Sequence, residues 1–284
     1  MVETKVYKQK KYTAKYIAGK CFIYFILLLM YAPIIYLMIF SLTDSQIIGR
    51  WTNFSFESFI RLFRTDNVYT LEIWQAVFNT LSVAICSALI STFLGTIGAI
   101  GMFYSKKKVR NVLDFITQIP VVNAEIVIAI SLAILFVICH WERSFLTLVI
   151  GHVVLTFPFV TLSVTPKLKQ MDPNLYEAAL DLGANQTKAL FKVIIPEILP
   201  GILAGFMLAL TLSLDDYIVT IFTRPTPGFD TLSTYVDAAT KKKGLPIQLR
   251  ALTSIIFFGI LIVMIAINVR NHRKGKKTNE EQNI

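Results

Sequence analysis

The chain has 284 residues, 55% of them hydrophobic and 16% charged, with 28 Lys and Arg against 18 Asp and Glu for a formal net charge of +10. So apolar a composition excludes an ordinary soluble domain or a disordered chain and points to a membrane protein. The positive balance does not indicate nucleic acid, because the basic residues are not interleaved with aromatics on a compact domain but gather at the edges of apolar runs, the pattern of membrane topology.

In chain order, residues 1–20 form a basic leader carrying Lys5, Lys8, Lys10, Lys11, Lys15 and Lys20. Residues 21–40 then supply about the ~20 residues a helix needs to cross a bilayer. That run is long for a signal peptide and no small-x-small cleavage site follows, so it reads as an uncleaved first span, with Pro33 expected to kink it. Residues 41–75 are polar and too irregular to span. A second span is expected over 76–104, where Gly95, Gly98 and Gly101 suggest close helix approach. The basic turn Lys106, Lys107, Lys108 and Arg110 leads to a third span over 112–138, with Pro120 near its start, and a fourth over 145–165. A polar loop at 166–200, a fifth span at 201–222, a polar excursion at 223–249, a sixth span at 251–269 and a basic, then polar, tail at 270–284 complete the chain. Cys21, Cys86 and Cys139 lie in or at the ends of apolar runs, with spacing that suits neither disulfides nor a metal, and read as small apolar fillers.

The expectation is an all-α integral membrane protein of six transmembrane helices, a spanning domain at 21–269 between leader and tail. An even number of spans puts both termini on one side. That side also collects the 106–110 turn, the 166–200 loop and most of the Lys and Arg, so the positive-inside rule makes it cytoplasmic. Lys241, Lys242 and Lys243 fall on the other side, and a single cluster does not overturn the balance.

Within the 166–200 loop a short helix is well marked. Asp172 is a candidate N-cap, Pro173 suits the first helical position and Gly183 a C′ residue of positive φ. Leu175, Ala178, Ala179 and Leu182 fall on one helical face, Glu177 and Asp181 on another. A helix this short must dock on something, and the pattern alone leaves open whether that is the chain's own spans or a partner.

Charges inside apolar runs are the remaining signal, since a carboxylate at mid-bilayer costs about 2.5–3.5 kcal/mol on insertion scales. Glu125 lies in the third expected span and Asp215 and Asp216 in the fifth. Ser213, Asp216, Thr220 and Thr223 recur at helical spacing as one polar stripe, while Asp215 sits about 100° round the helix, over Thr211. Gln118 and Glu125 would share a face of the third span. These acids either bond to polar groups across helix interfaces or line a water-filled path that draws a cation inward.

No G-x-x-x-x-G-K-[ST] loop is present, so ATP is not expected to bind this chain in the usual way. His140, His152 and His272 form no H-E-x-x-H pair, no Ser/His/Asp set can be argued, and neither catalysis nor a metal site is expected. His152 reads as a packed or hydrogen-bonded residue.

The sequence Glu177-Ala178-Ala179, three residues, Gly183, then Pro196 thirteen positions on, resembles the coupling loop of permeases from ATP-binding-cassette importers of type I, with Val193 and Ile195 as mild departures. The resemblance implies that Glu177, Ala178, Ala179, Asp181, Gly183 and Pro196 transmit the closure of a separate ATPase dimer to the membrane domain. The segments starting at Tyr31, Glu125 and Phe157, and Leu212-Ser-Leu-Asp215-Asp216-Tyr-Ile-Val-Thr, look like the second permease subunit of spermidine/putrescine importers. That implies a bacterial cytoplasmic membrane, a homologous second permease, an extracytoplasmic polyamine-binding protein, no cofactor on this chain, and a substrate path along Asp216, Asp215, Glu125, Thr220 and Ser213. Acids suit polyamines, which carry spaced ammonium groups. The rivals are a permease for another cargo (iron, thiamine or a phosphonate), a proton-coupled carrier using Glu125 and Asp216 as a relay, and a scaffold.

Overall fold

The computed structural model describes residues 14–281 other than 46, 48, 65–66, 173, 226–227 and 243–245. Residues 1–13 of the leader, Pro173, Lys243 and residues 282–284 of the tail lie outside the described residues. Regular structure among the described residues is helical: α1 (Ala14–Phe40), α2 (Glu57–Phe63), α3 (Val68–Tyr104), α4 (Lys107–Val122), α5 (Glu125–Ile138), α6 (Phe145–Gln170), α7 (Leu175–Asp181), α8 (Gln186–Ala189), a π-helical turn (Leu190–Ile194), α9 (Ile195–Asp215), α10 (Ile218–Thr223), α11 (Leu232–Lys242) and α12 (Ile247–Glu281). The only strand-like pairing described is one isolated bridge, Thr43 with Phe54.

Among the described residues, four helical stretches are long and apolar enough to cross a membrane, Gly19–Phe40, Val68–Tyr104, Phe145–Gln170 and Gln186–Asp215, and α4 with α5 makes a fifth if the bent pair is one span. The apolar helix described in α12, Ile247–Ile262, is shorter.

The chain divides into two compact units. One comprises the chain through Thr70 and again from Lys243. There the region expected to be irregular is ordered by side chains: Arg250 Nη1 donates to the Ser45 carbonyl at 2.9 Å, Ser254 Oγ to Ser41 Oγ at 3.0 Å, and Ser58 Oγ to the Thr43 carbonyl at 3.3 Å. α1 is unbroken through Pro33 and exposes nearly all of its large apolar side chains.

The second unit, Leu71–Lys242, is organised on α6. Val160, Val164 and Leu168 pack with Ala88 and Ala99 of α3, Ile194 of the π turn, and Ile198 and Ala209 of α9. Helices in lipid associate by close packing rather than by escape from water, so small residues sit at the crossings. A Cβ at Gly95 would lie 2.8 Å from Val160 and one at Gly205 3.1 Å from it. Gly98 also faces α6, at Phe157, whereas Gly101 meets nothing within 4 Å.

Three expected boundaries change. α3 begins at Val68, with Asn67 Oδ1 accepting from the Tyr69 N–H at 3.2 Å in the manner of a cap. The 166–200 loop shrinks from both ends, because α6 runs to Gln170 and α9 starts at Ile195. Pro196 has no N–H, and the preceding turn is π-helical, its last bond running from the Ile195 N–H to the Leu190 carbonyl. The third span is not one straight helix: α4 and α5 meet at 104°, with Asn123 and Ala124 extended between them. Gln118 and Glu125 therefore stand on different helices rather than on one face.

Candidate functional site

The fifth expected span also breaks. α9 ends at Asp215, Asp216 is extended (φ −65°, ψ 130°), and α10 begins after Tyr217. The polar stripe from Ser213 to Thr223 is thus not one continuous helical face, and the cause is the Asp216 side chain itself. Its Oδ1 accepts from the Val219 N–H at 3.1 Å and its Oδ2 from the Thr220 N–H at 2.7 Å, offering the backbone an N-cap in place of a continued helix. Thr220 Oγ1 also donates to Oδ2 at 2.7 Å. On the main chain, the Asp216 carbonyl accepts from Ser233 Oγ at 2.9 Å.

Around this break lies a buried polar cluster. His152 of α6, 1% exposed, places Nδ1 2.7 Å from Ser213 Oγ and Nε2 3.0 Å from Thr220 Oγ1, with Asp216 Oδ2 at 3.4 Å. Ser213 Oγ lies 2.9 Å from Ser87 Oγ of α3, and Ser91 pairs with Thr156 at 2.6 Å. Ser213, Asp216 and Thr220, expected along a substrate path, are buried, with their side-chain polar atoms engaged inside the chain. Asp215 is exposed and Glu125 half-buried. Glu125, the first residue of α5, comes near Asp215 and Asp216 because α5 packs on α10 through Ala129 against Val219, Ile218 and Phe222. The two breaks therefore bring the three predicted acids together, in two layers of exposure.

The fold also assembles a Ser, His and Asp set that sequence spacing did not reveal. It does not have the form of a hydrolase. The carboxylate lies on Nε2 and the serine on Nδ1, and Ser213 Oγ is held by Ser87 where no substrate carbonyl reaches it. Ser87, Ser91 and Thr156 join this cluster without belonging to any motif in the sequence. A signal was present: Ser87 and Ser91, like His152 and Thr156, are polar residues four apart in apolar runs, which places each pair on one helix face.

Near the break, Arg224 pairs with Asp230 and donates to Thr234 Oγ1 at 3.2 Å, while Asn79 Nδ2 and the Leu232 N–H tie the same turn to α3. Tyr217 Oη donates to Asp237 Oδ2 at 2.9 Å and Lys241 Nζ does so at 2.8 Å. These two donors, Lys241 first, hold the Asp237 carboxyl of α11 below the usual carboxylate range.

The second group of predicted residues lies on α7. Its N-cap is Asn174, without a side-chain bond; Asp172 instead accepts from the Asn174 N–H at 2.9 Å. Gly183 takes φ +83°, and the Gly183 N–H bonds the Leu180 carbonyl (2.9 Å) while the Ala184 N–H bonds that of Ala179 (3.1 Å), a Schellman ending. Leu175, Tyr176 and Ala179 turn inward. Glu177, Ala178, Asp181 and Gly183 are exposed, and Leu182 is 89% exposed. The expected apolar face is thus divided: Leu175 and Ala179 dock on the chain's own core, whereas Ala178 and Leu182 do not. Pro196 is exposed in the first turn of α9.

Residues 91–271 match the family described as binding-protein-dependent transport system inner membrane component. The chain belongs to this family. It is a permease subunit of an ATP-binding-cassette importer and resides in the bacterial inner membrane, in a family whose ATP hydrolysis is the work of partner subunits. The permease is 32% identical over 241 residues to the putrescine transport system permease protein PotI of Escherichia coli (strain K12), covering 82% of this chain and 83% of that protein. It is 29% identical over 248 residues to the spermidine/putrescine transport system permease protein PotC of the same strain, covering 87% and 91%. Its fold matches a crystallised bacterial ABC transporter involved in the import of the acidic polysaccharide alginate, with a TM-score of 0.65 at 16% identity over 93% of this chain and 98% of that one.

Proposed function

We propose that this permease carries polyamines, spermidine or putrescine, inward across the membrane. The observation that carries the reading is the approach of Glu125 to Asp215 and Asp216 where α5 packs on α10, in a chain about 30% identical to PotI and PotC over most of its length. Carboxylates at membrane depth attract ammonium groups, and the carbonyl end of α9 adds negative potential at the same place. Asp215 and Glu125, being accessible, make the cargo contacts; Asp216, Ser213 and Thr220 hold them from beneath. An anionic cargo would be repelled here.

The permease pairs with a homologous second permease, two ATPase subunits and an extracytoplasmic binding protein. Six spans leave residues 1–20, residues 270–284 and α7 in the cytoplasm. Closure of the ATPases presses on Glu177–Gly183 with Leu182 and moves α9 through the π turn and Pro196. The cavity then alternates between facing outward and inward. Tight binding in the path would slow release, so selectivity rests mainly with the binding protein.

The test is uptake of labelled spermidine by cells lacking this chain, with and without its restoration, challenged by unlabelled putrescine, ferric iron and thiamine. Restored uptake that putrescine alone inhibits is expected, and Glu125→Gln or Asp215→Asn should then lower uptake at normal membrane abundance. Uptake that does not depend on the chain, in cells with no other polyamine importer, would remove the cargo assignment and leave the permease class intact.

A further inference from the structure

We propose that His152 is the positioning residue of the α9–α10 break: one buried imidazole clamps both sides of it and thereby sets where Asp215 stands. This rests on the reading of Asp215 as a cargo contact, but its test does not require cargo.

The ring is placed for that task. Ser213, which meets Nδ1 at 2.7 Å, is in the last turn of α9; Thr220, which meets Nε2 at 3.0 Å, is in α10. Thr220 Oγ1 gives its hydrogen to Asp216 Oδ2 and so accepts from the Nε2 N–H; in the neutral ring Nδ1 then accepts from Ser213 Oγ. Each nitrogen therefore holds a different side of the interruption. Asp215 is the last helical residue before it, two positions from Ser213.

α10 needs such a hold. Six residues cannot sustain a helix by their own hydrogen bonds. Three residues on one side of α6 grip it. Thr147 Oγ1 donates to the Thr223 carbonyl at 3.1 Å, the end of α10, and His152 meets Thr220. Between them Gly151 allows close approach, since a Cβ there would lie 2.9 Å from Val219 Cγ1. Replacing the imidazole would leave α10 against α6 through Thr147 and Gly151, but would leave Ser213 at the end of α9 held by Ser87 alone and no longer tied to α10 through the ring.

The experiment reads position directly. With Cys21, Cys86 and Cys139 changed to Ser in the permease assembled with its ATPase, a single cysteine is introduced by Asp215→Cys, and its rate of reaction with a charged thiol reagent is measured. A separate Glu142→Cys chain, altered at an exposed site in the α5–α6 connection away from the coupling helix, is the control. His152→Ala should change the rate at position 215 severalfold and leave position 142 unchanged. His152→Asn and His152→Gln, which each retain one of the two ring contacts, should fall between. If the alanine variant does not accumulate, Ser213→Ala and Thr220→Val each remove one partner of the ring and should shift the 215 rate in the same assay. An unchanged 215 rate, or equal changes at both positions, would overturn the proposal. Failure of the polyamine reading would be seen separately, in the uptake assay.

Discussion

The chain interrupts a helix at Asn123–Ala124 and again at Asp216–Tyr217, and only the second interruption is stitched by side chains. At the first, the N-cap Ala124 has no side chain to bond, Asn123 and Ala124 are exposed, and Val122 is 86% exposed. At the second, Asp216, Thr220, Ser213 and His152 are buried and bonded to one another. A break without local side-chain bonds is held by the packing of its helices, here through Ile128, Ala129, Leu132 and Phe136 of α5, whereas one with buried polar bonds is also fixed at the break itself, because every lost partner leaves a desolvated group behind. Glu125 sits at the first break and Asp215 and Asp216 at the second.

The comparison can be broken most severely at Asp216. Asp216→Ala strips the acceptor from two backbone N–H groups and a hydroxyl, each costing about 1–3 kcal/mol when buried and unpaired. Folded chain recovered by detergent extraction should fall sharply, whereas Asn123→Ala at the first break should stay within about 0.5 kcal/mol of the parent. Equal loss from both would show that the two breaks are not built differently. Next in size is Gly151→Ala, whose Cβ would press on Val219 and Thr223 at an expected cost of about 1–3 kcal/mol. A lowered unfolding temperature is the readout, and an unaffected one would mean that α10 does not rely on close approach to α6. The smallest of the three expected losses is at Gly183, where φ +83° makes an alanine cost about 1–2 kcal/mol. No Cβ clash accompanies it, so the damage should be local to the end of α7. It should appear as weaker association with the ATPase rather than as lost chain; normal association would indicate that the Schellman ending is not needed for coupling.

Hydropathy and helical period were enough to find the four long apolar helices described, because lipid selects on composition alone, residue by residue. The α7 signal was equally local, since glycine at C′ and acids beside small residues act within one turn. Neither break could be read the same way. Asp216 has the same sequence spacing in a continuous helix as in a broken one, and its choice of backbone partners is favoured by the burial that α6 and α11 provide. The Ser41–Thr70 region looked irregular because its order comes from Arg250 and Ser254, residues about 200 positions away.

The sequence by itself thus determined a helical membrane permease with a short, well-ended helix at α7 and acids within apolar runs, since those properties depend on residues close together in the chain. Which acids are accessible, where the helices stop and what holds α10 were decided by tertiary structure. The deciding contacts join residues such as His152 and Ser213, 61 positions apart, and a hydrogen bond of that kind has no local signature until folding brings its partners together.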